Sequence, residues 1–81
     1  MNVRVRTFAR IRELLKFDAR TVNVPDDATI EVVWRSISAP IPDAGAIRSS
    51  LRFARNGSIV EAQTRLQDGD EVAVLPPSSG G

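Results

Sequence analysis

Leu66-Gln67-Asp68-Gly69-Asp70-Glu71-Val72-Ala73-Val74-Leu75-Pro76-Pro77-Ser78-Ser79-Gly80-Gly81 is the stretch that decides how the remainder is read. Gln67 to Asp70 has the composition of a turn, and residues 71–75 alternate. Val72 and Val74 share one face, while Ala73 and Leu75 share the other, as in a strand. Pro76 and Pro77 lack N–H groups and have a restricted φ, so the hydrogen-bond ladder should stop there. Ser and Gly then offer nothing that folds back onto a core. The expectation is a folded domain over 1–75 and a flexible tail over 76–81 ending in Gly80-Gly81. Stretched out, six residues reach roughly 20 Å, enough to enter another protein's active site. Gly81 has no Cβ, so it can pass a narrow channel and leave its carbonyl carbon unhindered.

Upstream, residues 2–8 alternate in the same way. Val3, Val5 and Thr7 form one face; Arg4, Arg6 and Phe8 form the other. The valine face belongs to the core, which leaves Phe8 among arginines on the outside. At Ala9 the period changes, and Ile11, Leu14 and Leu15 recur at helical spacing for about two turns. Thr21 to Val24 reads as a second strand, stopped by Pro25-Asp26-Asp27. The main helix follows: Thr29 is its N-cap, Glu31 lies in its first turn, and Ile30, Val33, Trp34 and Ile37 form its apolar stripe. Pro40 and Pro42 end it, Pro40 to Gly45 reads as a loop, and Ala46 to Ser50 is too short to assign. Leu51 to Arg55 is a third strand. Asn56-Gly57 is a strong type I′ hairpin signal, with Ser58-Ile59-Val60 returning.

This order gives an α+β domain with one main helix packed on one face of a mixed sheet. The strands at the two ends of the chain both have a valine face and are natural central neighbours. Paired parallel, they bring Phe8 and Leu75 together on the outer face beside Arg4 and Arg6, and Ile59 extends the patch. An apolar patch rimmed by arginines has the character of a docking surface. The alternative is three scattered surface hydrophobics.

Composition narrows the chemistry. The 81 residues suit one small domain, and 42% of them are apolar, enough for a single modest core. The chain has no cysteine and no histidine. Disulfides, thiol catalysis, persulfide carriage and the usual zinc sites are therefore excluded. No acidic cluster has metal-ligand spacing. A net charge of +1 points neither to nucleic acid nor to a membrane. Nothing at the N-terminus reads as a signal segment, and a cytoplasmic location is expected. The basic residues are ten arginines and one lysine, Lys16.

Phe8-Ala9-Arg10-Ile11-Arg12-Glu13-Leu14 resembles the end of the first strand in the small subunit of molybdopterin synthase. Leu66 to Ala73, followed by Pro76-Pro77 and Gly80-Gly81, resembles that family's C-terminal signature. The resemblance covers the whole chain and implies a β-grasp, ubiquitin-like fold and a sulfur carrier. By the same resemblance, an E1-like adenylating partner uses ATP on the Gly81 carboxylate, and a sulfur donor enzyme converts the acyl-adenylate to a thiocarboxylate. The large subunit of molybdopterin synthase then takes that sulfur for the dithiolene of molybdopterin. Gly80 and Gly81 become the functional tail; Phe8, Ile59 and Leu75, with Pro76 and Pro77, become the partner face.

The residues agree with this chemistry. An α-carboxylate with a pKa of about 3.3–3.7 is ionised at neutral pH and is a poor electrophile, so it must be activated. The chain has no phosphate-binding glycine loop, so ATP is expected to belong to the partner and no cofactor to this chain. Three readings stay open beside it: a carrier for a thiamine-type pathway, a ubiquitin-like protein modifier, and a non-covalent β-grasp interaction module.

Overall fold

The computed structural model describes residues 1–77. Strand β1 (Asn2–Thr7) is followed by helix α1 (Ala9–Leu15) and strand β2 (Ala19–Asn23). Helix α2 (Ile30–Ser38), the short helix α3 (Ala44–Ile47) and a 3₁₀ turn (Arg48–Ser50) come next. The strands β3 (Arg52–Arg55), β4 (Ser58–Val60) and β5 (Glu71–Leu75) complete the order. Among the described residues these five strands form one sheet in the order β2-β1-β5-β3-β4. β1 and β5 pair parallel at its centre, and the other pairings are antiparallel. The sheet is therefore mixed, with the last strand inserted between the first and the third. With α2 across one face, this is the β-grasp, ubiquitin-like arrangement.

Alternation explains why the central strands sit where they do. Val5 and Val72 are fully buried and directly paired, with Thr7 and Val74 one step further along the same face. Burying a side chain of this size contributes about 1.5–3 kcal/mol, so the valine face alone goes far towards orienting the sheet. Ile30, Val33, Trp34 and Ile37 of α2 join these valines in one core, and Trp34 meets Phe53 edge-on at 6.5 Å between ring centroids. The Thr7 hydroxyl, buried among them, donates to the Phe17 carbonyl.

The N-terminus of α2 is fully satisfied. Thr29 Oγ1 accepts from the Val32 N–H at 3.3 Å, and the Thr29 carbonyl accepts from Val33. The Ile30 and Glu31 N–H groups donate to the carbonyls of Thr64 and Ala62 at 3.1 and 3.0 Å. The irregular stretch between β4 and β5 thus completes the cap of a helix some thirty residues earlier. Asn56 and Gly57 have φ of 49° and 89°, as a type I′ turn requires.

Two local expectations change. The second strand begins at Ala19 and ends at Asn23, since Arg6 and Val5 of β1 reach back to pair with Ala19 and Arg20. The Pro40–Gly45 loop gives way at Ala44 to α3, whose Ala44 is 0% exposed. Burial against the core, not helix propensity, holds so short a helix.

Candidate docking face and tail root

Register carries three of the expected site residues to the face opposite α2. Arg52 lies opposite Leu75, and Thr7 lies opposite Val74. Phe8 extends β1 by one residue in extended conformation, φ −139° and ψ 152°, so it stands beside Leu75. The Arg6 guanidinium over the Phe8 ring, 5.2 Å from its centroid, shows that the two share a face. Ile59 pairs with Ala54, Ala54 with Ala73, and Ala73 with Arg6, giving one row across four strands. Ile59 is 54% exposed, whereas Phe8 and Leu75 are half-buried. Ala54 is buried too, but outside the core cluster, as expected beneath outer-face neighbours.

Pro76 and Pro77 mark the root of the tail. They line a groove of about 490 Å³ together with Leu14 and Arg10 of α1, Ile47 of α3, and Leu51. Leu14, which recurs with Ile11 and Leu15 at helical spacing, is half-buried against the core and open to this groove. Its helical spacing gave the buried side of α1, but nothing local shows that α1 and α3 flank the end of β5. Gly80 and Gly81, with Ser78 and Ser79, lie outside the described residues.

The strand that leads into the tail is anchored at its start. Asp70, 9% exposed, accepts from the Gln67 N–H at 2.8 Å and from the Asn56 amide at 3.0 Å. Burial pushes its carboxyl up, but the Gln67 and Asn56 hydrogen bonds and the Arg55 charge together hold it below its ordinary value. Asn56 Oδ1 also accepts from the Glu71 N–H at 2.9 Å, so a residue read only as a hairpin turn clamps β5 to β3. On the α2 side, Arg48 Nε donates to Glu31 Oε1 at 3.0 Å and stacks 5.0 Å over Phe53. The Arg48 hydrogen bonds keep the Glu31 carboxyl below its ordinary value, against the opposing effect of burial. Among the described residues no group of His, Cys, Asp and Glu could hold a metal ion, and no helix is long and apolar enough to cross a membrane.

A β-grasp domain whose outer face sets Phe8, Leu75 and Ile59 among arginines, with a strand running from its centre into a Pro-Pro tail, belongs to the ubiquitin-like class. Residues 5–81 match the sequence profile of the ThiS family, and the chain belongs to that family. It is 36% identical to the molybdopterin synthase sulfur carrier subunit of Chlamydomonas reinhardtii, with 100% of each chain covered. It is 33% identical to small archaeal modifier protein 3 of Haloferax volcanii, again over 100% of each chain. Among solved structures, the complex of subunits 1 and 2 of molybdopterin-converting factor from Helicobacter pylori 26695 aligns with a TM-score of 0.69 and 26% identity. That alignment covers 100% of both chains.

Proposed function

We propose that this chain is the sulfur-carrying small subunit of molybdopterin synthase, with the Gly81 carboxylate as the carrier group. The observation that carries the reading is full-length similarity to curated sulfur carrier subunits, in a domain whose central strand leads directly into the tail. The sequence supplies no side chain for the task, since it has no cysteine. The reaction then runs at the end of the chain. A Gly81 carboxylate oxygen attacks the α-phosphorus of ATP in an E1-like partner, and pyrophosphate leaves. A hydrosulfide-equivalent sulfur from a donor enzyme adds to the acyl-adenylate carbonyl, and AMP departs with the C–O bond, leaving the thiocarboxylate. Adenylation is needed because an ionised carboxylate resists nucleophiles. The large synthase subunit receives the tail and takes the sulfur.

Intact-mass measurement after incubation with the adenylating enzyme, ATP and a sulfur donor tests this. One oxygen exchanged for sulfur at Gly81 is expected, and deletion of Gly81 abolishes it. No exchange in the full chain would overturn the reading. The similarity to a Haloferax volcanii modifier favours one second reading, a protein modifier whose Gly81 carbonyl passes to a lysine of a target. Glycine remnants on lysines of other proteins, without sulfur exchange, would identify it.

A further inference from the structure

Of the chain's asparagines, Asn2 and Asn23 precede valine and Asn56 precedes glycine. An asparagine loses its amide when the backbone nitrogen of the next residue attacks the side-chain carbonyl. A β-branched neighbour hinders that attack, and glycine leaves it open. Asn56 and Gly57 are both exposed, and apart from chain neighbours nothing lies within 4 Å of where a side chain on Gly57 would begin. The fold nevertheless holds this amide on every side. Its Nδ2 donates to Asp70 Oδ1 at 3.0 Å, and its Oδ1 accepts from the Glu71 N–H at 2.9 Å. The Asn56 N–H donates to the Glu71 carbonyl at 2.8 Å. In a type I′ turn the first central residue has ψ of about +30°, which carries the Gly57 nitrogen away from the Asn56 Cβ.

We propose that Asn56-Gly57 is a gated deamidation site, closed while Asp70 and Glu71 hold the amide and open when the start of β5 lifts away from the β3–β4 turn. In the opened turn the Gly57 backbone nitrogen, its proton taken by hydroxide, forms a bond to the Asn56 side-chain carbonyl carbon. The bond from that carbon to Nδ2 breaks, and the nitrogen leaves as ammonia with a proton from water. Water then opens the five-membered imide at either carbonyl and gives aspartate or isoaspartate at position 56. Neither product restores the clamp. Aspartate has no N–H for Asp70 and sets a second carboxylate where the donor stood, at 3.0 Å. Isoaspartate adds one carbon to the backbone and breaks the turn that pairs Arg55 with Ser58. Either one loosens β5 at its first residue, so the modification marks a chain whose tail strand has once come away. The inference holds whatever the tail carries.

The full chain is incubated at mildly alkaline pH, and fragment masses report an amide exchanged for a carboxylate at position 56. Deamidation of the folded chain should be about tenfold slower or more than in denaturing urea, since ring closure waits for local opening. Asp70→Asn weakens the clamp and should speed it about fivefold at a temperature where the variant is folded. Ile37→Val trims the core in α2 by one methyl group, outside the clamp, and should leave the rate within about twofold. Asn56→Asp, which installs the deamidated side chain, should melt below the parent at neutral pH. Equal rates in folded and unfolded chains overturn the gate. Equal acceleration by Asp70→Asn and Ile37→Val assigns the opening to global unfolding and overturns the clamp. An Asn56→Asp variant as stable as the parent overturns the loosening of β5. If Asp70→Asn does not fold, the comparison of folded chain with urea and the melting of Asn56→Asp decide alone.

Discussion

Lys16 ends α1 with φ of 63°, and its N–H closes onto the Arg12 carbonyl at 2.8 Å. That left-handed cap position favours glycine, since a Cβ there strains the backbone. Lys16→Gly should therefore raise stability by about 0.5–1 kcal/mol in urea denaturation, the strain relieved exceeding the entropy glycine adds to the unfolded chain. A loss of stability would show that the lysine side chain has a role this geometry does not account for. Asp70 and Glu31 set the acid response. Both carboxyls sit below their ordinary values of 3.8 and 4.5. Their stabilisation is complete above those values and is lost as pH falls through the lower folded-state values. Asp70→Asn should reduce the melting temperature at neutral pH and flatten its decline on acidification. An unchanged acid limb would mean that other carboxylates govern it.

At the scale of elements, β5 has the most to lose. It is paired on both sides, with β1 and β3, and its Val74 is buried. Val74→Asp should destabilise the domain by about 4 kcal/mol or more and abolish dispersed amide resonances, because the charge has no partner in the core. A folded Val74→Asp variant would contradict the inward assignment of that face. The helices show how far local reading goes. Thr29 and the Ile30-Val33-Trp34-Ile37 stripe lie within nine positions, and they suffice to define α2. The carbonyls of Ala62 and Thr64 that complete its cap come from a stretch with no periodic signal. α3 escapes notice for a related reason: in four residues its only strong feature is the burial of Ala44, which is a property of its surroundings.

Over the whole molecule, the outer face and the tail root lie at one end of the central strand. Leu75 is half-buried beside Phe8, and its successors Pro76 and Pro77 line the groove against α1. Leu75→Arg should weaken binding of the large synthase subunit by about tenfold or more while shifting the melting temperature little, since the side chain lies outside the core cluster. Unfolding of Leu75→Arg would instead make this face part of the stabilising core. Calorimetric titration beside a thermal melt separates the two outcomes.

By itself the sequence determined what depends on neighbours along the chain. The alternation of Val3-Val5-Thr7 and Val72-Val74, the Thr29 cap, the Asn56-Gly57 turn and the Pro76-Pro77 stop are governed by pleat, period and backbone sterics over a few residues. Gly80 and Gly81 are legible as candidates only there. Tertiary structure decided what depends on register between distant strands: Arg52 opposite Leu75, Asn56 holding Asp70 and Glu71, and α1 with α3 walling the root of the tail. Such contacts join residues far apart in sequence, and no local preference specifies them. They form because one arrangement of the sheet buries both valine faces against α2 and still pairs the central strands.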